Sequence, residues 1–366
     1  MEINQKQKYN GISYIHTKEE MLQMNNCCCS SNSDCCSSIE ILTASTVLTT
    51  KDILGTCKVR LGIGRMDYKV KPGIYALGTP NSESPVLVSA NYKLTFDALR
   101  SKLSRLDCWL LILDTKGVNV WCAAGKGTFG TNELINRIKQ TGLEKIVTHR
   151  KLILPQLGAS SMKPHEVLRK TGFSIVYGPV YANDIKEFIA AGFHATKEMR
   201  AVKFTILDRL VLTPVELVAA ARKSLLVFGV LFLLNLFAAR PFGLYDFVLY
   251  TGAVILGTVI TPLLLPWIPC RAFSLKGWLL GFLWTVMALW LFGCFTRGYA
   301  FLAIGYLLLL PAVSAWFALN FTGSSTYTSP SGVLKEMKIT LPFIIDSSIL
   351  GAVLVLIQNM FIGTPP

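Results

Sequence analysis

From Ser224 onward, long apolar runs follow one another with few charges between them, a pattern that points to helices crossing a membrane. A spanning helix needs about 20 predominantly apolar residues. Five stretches qualify: Ser224–Ala239, Tyr245–Pro266, Leu275–Phe295, Tyr299–Phe321 and Thr340–Ile362. The first is short and is expected to extend back toward Leu217, with Arg222 and Lys223 reaching to the interface. Pro262, Pro266, Pro311 and Pro342 would break helices in water, but in a bundle the neighbouring helices satisfy the freed carbonyls. Up to about residue 215 charged and apolar residues mix as in a globular domain. The mean hydropathy of +0.46 therefore averages two unlike halves.

Charge sets the expected orientation. Lys197, Arg200, Lys203, Arg209, Arg222 and Lys223 precede the first stretch. Arg271 and Lys276 lie between the second and third, and Lys335 and Lys338 between the fourth and fifth, whereas the other side carries only Arg240 and Arg297. The positive-inside rule places the amino-terminal domain in the cytoplasm, on a cytoplasmic (inner) membrane. A net charge of +14 is scattered and concentrated in these loops, so anionic lipid explains it better than nucleic acid. Within the spans Asp346 is the main ionisable exception, which favours an anchor over a transporter. The opening residues do not read as a secretory leader, because the first apolar run lies beyond residue 35 and is strand-like.

The ten cysteines do not form a disulfide pattern. Cys27, Cys28, Cys29, Cys35 and Cys36 crowd a Ser/Asn-rich segment, and Cys270 and Cys294 fall in the apolar half. A cytosolic setting keeps thiols reduced, and the spacing matches no paired zinc site. Residues 1–44 read as a disordered, Cys-rich tail, either unselected or a trap for soft metal.

Residues 45–200 alternate strands and helices. Strand candidates are Tyr75 to Gly78, Pro85 to Ala90, Trp109 to Asp114, Lys151 to Pro155 and Phe173 to Tyr177. Helical spacing appears from Phe96, from Glu133 with Gly142 as its stop, around His165–Lys170, and from Asp184. This interval predicts a Rossmann-like, doubly wound sheet with ligands at the carboxyl ends of its strands. Residues 201–223 read as an amphipathic linker, and 224–366 as an all-α transmembrane domain of five helices.

The chemistry concentrates after the Trp109 strand, in the run from Thr115 to Gly130. A strand, a Gly/Ala-rich turn and a helix suit an anion. The nucleotide-loop pattern fails, because Gly127 follows Lys126 and no glycine stands in the required upstream place. The dinucleotide fingerprint is also missing. What remains is Cys122 near a helix start, where the dipole and Lys126 one turn on favour thiolate character. None of His16, His149, His165 and His194 lies in a cysteine-hydrolase context. A small apolar cysteine buried beside Trp121 is the alternative.

The run NVWCAAGK, Asn119 to Lys126, resembles the signature of the HgcA family of mercury-methylating corrinoid proteins, whose soluble domain is similar to the cobamide-binding domain of the corrinoid iron–sulfur protein large subunit. Arg65 to Tyr68, Val70 to Tyr75, Ser84 to Asp97, Leu154 to Ala159 and Tyr177 to Val180 fit the resemblance in order, over roughly residues 45–200, and a five-span tail fits as well. The resemblance implies a corrinoid cofactor (cobalamin or a related cobamide) and Cys122 as catalytic residue, its thiolate an axial ligand of cobalt. Such a soft ligand favours methyl transfer with carbanion or radical character to an electrophile, here mercuric ion. No Asp-x-His-x-x-Gly run offers a histidine ligand instead.

By the same resemblance Asn119, Val120, Trp121, Ala123, Ala124, Gly125 and Lys126 shape a cap helix. Ser89, Asn91 and Thr95 lie near the cofactor, Ser89 standing where threonine is expected but keeping the hydroxyl. Thr95 could alternatively cap a helix. Leu154, Pro155, Gln156, Leu157, Gly158 and Ala159, with Gly178, Pro179 and Val180, are expected to line the lower side of the corrinoid, or to serve only their turns. The chain has no ferredoxin-like cysteine run, so electrons must come from outside. The resemblance implies a ferredoxin-like partner with two four-iron clusters, a methyltetrahydrofolate-linked methyl donor system and membrane lipid as partners, and no nucleic acid. A corrinoid carrier of acetyl-CoA metabolism and a non-enzymatic corrinoid-binding membrane protein are the rival expectations.

Overall fold

The computed structural model describes residues 40–295 and 298–362. The cysteine cluster from Cys27 to Cys36 and Arg297 lie outside the described residues. The chain divides into two compact units: one holds residues up to Val59 together with Gly64–Val202, the other Arg60–Ile63 and everything from Lys203.

In the first unit the order is β1 (Ile41–Ala44), α1 (Thr50–Arg60, ending across the unit boundary), β2 (Gly73–Leu77), β3 (Val86–Ala90), α2 (Lys93–Lys102), β4 (Cys108–Leu113), α3 (Val120–Lys126), α4 (Thr131–Thr141), β5 (Lys151–Leu154), α5 (Pro164–Thr171), β6 (Ser174–Tyr177), α6 (Ile185–Ala190) and α7 (Lys197–Arg200). The strands form one sheet in the order β1-β2-β4-β3-β5-β6. Strands β3 to β6 are mutually parallel, and every residue of β4 is buried, as its continuous apolar run predicts. The sheet is nevertheless mixed, since β2 pairs antiparallel with β4 and parallel with β1. The reason is length: residues 78–85 between β2 and β3 are too few for a crossover, so the chain reverses. Strand β1 also lies inside the stretch expected to be a disordered tail.

Two cores cover the two faces. Val86, Val88, Leu111 and Leu113 pack under Val120, Ala123, Leu134 and Ile138, from α3 and α4. Leu87, Leu110 and Ile112 pack under Phe96, Leu99, Ile185 and Phe188, from α2 and α6. Helices thus lie on both faces of the four parallel strands, whose order β4-β3-β5-β6 reverses between β3 and β5. A crevice at the carboxyl ends of these two strands is where such sheets bind ligands. An ionic network joins α1 to α2. Asp52 meets Lys93 Nζ at 2.5 Å and Arg100 Nη2 at 2.8 Å, and Asp97 meets both cations at 2.7 Å. Burial raises the Asp52 carboxyl, but Lys93 and the Thr49 donors outweigh it and hold it well below the usual carboxylate range.

The second unit contains α8 (Ile206–Leu234), α9 (Leu244–Ile255), a π turn (Leu256–Ile260), α10 (Thr261–Leu264), α11 (Phe273–Leu291), α12 (Ala300–Asn320) and α13 (Pro330–Ile357). Among the described residues five helices are long and apolar enough to cross a membrane: Ile206–Leu234, Leu244–Leu264, Phe273–Leu291, Ala300–Ser324 and Ser331–Ile362. Most of the stretch expected as a linker therefore belongs to the first long helix, which ends before Ala239. A capping box of Thr205 and Asp208 starts it. Helix α12 is central, 67% of its apolar window being buried against 11% for the first and last helices. Glycines let the backbones close on it: a Cβ at Gly277 would meet Ala318, and one at Gly281 would meet Ser314 and Pro311. Asp246, besides Asp346, is an ionisable group of this unit; it accepts from the Gly243 amide and the Tyr306 hydroxyl and pairs with Arg240.

Candidate functional site

The site grows from the carboxyl end of β4. Asp114 and Thr115 leave the strand, Lys116 and Gly117 turn it through positive φ (59° and 73°), and α3 begins at Val120. Asn91, at the end of β3, fixes this turn. Its Oδ1 accepts from the amides of Thr115 at 3.1 Å and Gly117 at 3.0 Å, and its Nδ2 donates to Asp114 Oδ1 at 3.1 Å. The Thr115 hydroxyl donates to the Val118 carbonyl at 2.6 Å, and Glu133 Oε1 accepts from the Asp114 amide at 2.9 Å. Burial raises the Asp114 carboxyl, but Lys116 at 2.5 Å, its amide and Asn91 outweigh that and lower it. Asn91 is thus spent on positioning the turn.

Asn119 caps α3, its side chain accepting from the Cys122 amide at 2.9 Å, and Gly127 closes the helix in the left-handed region. Val120, Ala123 and Ala124 are buried, Val120 and Ala123 in the core over the sheet. Trp121 is 38% exposed and Gly125, one turn on, is exposed; half-buried Cys122 has exposed Lys126 one turn on. A Cβ at Gly125 would meet nothing within 4 Å. The seven cap residues therefore divide: Val120, Ala123 and Ala124 seat the helix, Asn119 starts it, and Trp121, Gly125 and Lys126 are exposed.

The segment after β5 lies against α3. Gly158 is there because Phe129 needs the space: a Cβ at 158 would strike the buried Phe129 ring. Ser161 donates to the Phe129 carbonyl and holds the turn. Leu154 is core, while Pro155, Gln156, Leu157 and Ala159 are half-buried. Gln156 Oε1 is buried without a hydrogen-bond partner. Gly178, whose amide donates to the Leu154 carbonyl at 2.8 Å, joins the ends of β5 and β6; Pro179 is buried, and the Val180 amide donates to Met199.

Two expected residues sit apart. Ser89 alternates with Val88 and Ala90, so it is buried on the face opposite α3. Thr95 falls in the first turn of α2, whose N-cap is Tyr92, so it does not cap that helix. Sequence reasoning missed Thr115, Phe129, Glu133 and Ser161. Each acts through a partner distant in sequence, Thr115 with Asn91, Glu133 with Asp114, and Phe129 with Gly158 and Ser161, so no local pattern marks them. An open depression of about 290 Å³ between Gly130 and Lys163 includes neither Cys122 nor the residues expected by resemblance.

The arrangement fits a flat, amide-bearing cofactor: a fixed thiol on a short helix, an open glycine and an indole beside it, and an unpaired buried acceptor on the adjoining turn.

Residues 46–189 match the family model of the CO dehydrogenase/acetyl-CoA synthase delta subunit. The chain is 33% identical over 127 residues to the acetyl-CoA decarbonylase/synthase complex subunit gamma of Methanopyrus kandleri, covering 34% of this chain and 27% of that one. It is 32% identical over 127 residues to the subunit of the same name from Methanocaldococcus jannaschii (34% and 26%), and 34% identical over 120 residues to subunit gamma 2 of Methanosarcina thermophila (32% and 25%). The chain thus spans about a quarter of the length of the curated relatives it matches.

Proposed function

We propose that this chain is a membrane-anchored corrinoid protein that transfers a methyl group to mercuric ion, its corrinoid domain on the cytoplasmic side. The observation that carries the reading is the seat of Cys122: its amide is tied to Asn119, its helix is rooted in the core by Val120 and Ala123, and its sulfur is left half-buried. The corrinoid, when bound, supplies a methyl group carried on cobalt. Cys122 would hold that cobalt through sulfur. Gln156 Oε1 would accept from an amide at the cofactor edge, and the segments 154–159 and 178–180 would line it. Gly125, whose Cβ position has nothing within 4 Å, would leave room for a flat ring. A sulfur ligand is soft and electron-rich, which suits an electrophilic acceptor such as mercuric ion. Electrons would come from a ferredoxin-like protein with two four-iron clusters, and methyl groups from a methyltetrahydrofolate-linked donor system.

A second reading is favoured by the names of the relatives, which are subunits of an acetyl-CoA decarbonylase/synthase complex. In it the chain is a membrane-tethered corrinoid methyl carrier that delivers to an acetyl-CoA-forming metal centre. One experiment separates the two. Full chain is loaded with methylcorrinoid in lipid nanodiscs and offered mercuric ion or an acetyl-CoA-forming enzyme. The first reading expects methylmercury, lost at least a hundredfold in Cys122→Ala with corrinoid still bound and a changed cobalt absorption spectrum. An identical spectrum in that variant, or transfer only to the enzyme, refutes it.

A further inference from the structure

The first turn of α8 buries a charge for which the second unit supplies no counter-charge. Arg209 is 2% exposed, and its Nε and Nη1 are buried without a hydrogen-bond partner. A buried guanidinium destabilises unless it is paired, and it cannot shed its proton to relieve the cost. The centre of the Trp267 ring lies 5.5 Å from the guanidinium carbon and attracts the cation, but an indole brings no negative charge.

Two acids at this end of the unit are committed elsewhere. Asp208 accepts from the Thr205 amide and hydroxyl at 2.8 Å each, and Glu336 accepts from the Ser274 amide and hydroxyl, also at 2.8 Å. A second cation reaches the same turn: Lys276 is buried, and its ammonium donates to the carbonyl of Leu265, two residues before Trp267. Among the described residues no carboxylate pairs with Arg209 or Lys276. Two buried positive charges thus converge on the turn from Leu265 to Trp267, one from α8 and one from α11. Water could meet the free N–H groups but not the charge. An anion rich in oxygens meets both, and phosphate is the group that a guanidinium and an ammonium share as a partner.

The place decides which phosphate. Leu265, Phe273 and Phe321 pack together with Leu212, so the start of α8, the turn after α10, the start of α11 and the end of α12 meet at one end of the bundle. Trp267 is 64% exposed there, and a tryptophan at the end of membrane helices settles at the level of the lipid head groups. We propose that Arg209, with Lys276, holds the phosphate of an anionic phospholipid. The head group takes the place of the indole over the guanidinium, which requires only that an exposed side chain turn aside. Anionic lipid is concentrated in the cytoplasmic leaflet, the side to which the positive-inside rule assigns this end. The site is independent of the chemistry proposed at Cys122.

The test uses the full chain in lipid-free detergent micelles, supplied with phosphatidylglycerol, phosphatidylcholine or inorganic phosphate. Native mass spectrometry should show phosphatidylglycerol retained roughly tenfold more tightly than phosphatidylcholine, whose choline offsets the phosphate charge. Arg209→Met, which keeps the length and drops the charge, should lose that preference, and Lys276→Gln should weaken it. Phosphatidylglycerol should raise the unfolding temperature of the native chain and leave that of Arg209→Met unchanged. Without lipid, Arg209→Met should unfold no earlier than the native chain, which separates lost binding from lost folding. A lower lipid-free midpoint in that variant would mean that the guanidinium is already paired within the chain and would overturn the proposal. So would undiminished retention of phosphatidylglycerol in both variants, equal retention of the two lipids by the native chain, or protection by inorganic phosphate as strong as by phosphatidylglycerol, which would assign the site to a soluble anion.

Discussion

Replacing Asn91 by alanine tests whether the turn that presents Cys122 is held from β3. Asn91 is 2% exposed and Thr115 0%, so water cannot take over the bonds that are lost. The buried Gly117 amide is stranded at ~1–1.5 kcal/mol, whereas the Thr115 amide keeps its second bond, to the Leu113 carbonyl at 3.1 Å, and loses ~0.5 kcal/mol. The bond to Asp114 is partly replaced by solvent, since that carboxylate is half-buried, and contributes ~1 kcal/mol more. The total is about 2.5–3 kcal/mol, on the order of a hundredfold in the opening equilibrium of the turn. Hydrogen exchange of a peptide over residues 110–120, followed by mass spectrometry on the full chain in nanodiscs, reads this directly. Protection there should fall about a hundredfold while β5 and β6 change little. Asn119→Ala, which removes only the cap, should cost ~1 kcal/mol with effects confined to α3. If Asn91→Ala leaves exchange at residues 110–120 unchanged, the turn is held by other contacts and the positioning argument is wrong.

Gly158→Ala should destabilise by ~1–3 kcal/mol, because the added methyl drives into the Phe129 ring; an unchanged unfolding midpoint would contradict the packing described for that turn. The Asp52 carboxyl is depressed in the fold, so the stability it contributes is complete above its ordinary value near 3.8 and is lost as pH falls through the depressed one. Lys93 is raised because its bonds to Asp52 and Asp97 outweigh burial, so its contribution is complete below its ordinary 10.5 and is lost as pH rises through the raised value. Unfolding followed between pH 2 and 12, as a range of about that width, should show both limbs, and Asp52→Asn should flatten the acid one. Burial pushes the Cys108 thiol up to about 12, so iodoacetamide near pH 8 should label exposed Cys57 and half-buried Cys122 but leave Cys108 until the chain unfolds.

Length and apolarity alone identified the five long helices, because a spanning segment must satisfy its backbone internally whatever surrounds it. Period and punctuation found β2 to β6 and the stop of α4 at Gly142, since these are local properties of the chain. That a helix starts near Cys122 was legible too, but the capping of that helix by Asn119 was not. Strand β1 and helix α1 were not: α1 shows no amphipathic period, and its Asp52 is held by Lys93 and Arg100 from far along the chain. The reversal of β2, the use of Asn91 as an anchor, the burial of Ser89 on the far face and the burial of Arg209 depend on which element lies next to which. Tertiary contact decided them, because a polar side chain's role is set by the partner within hydrogen-bond reach, and sequence records its type but not its neighbour.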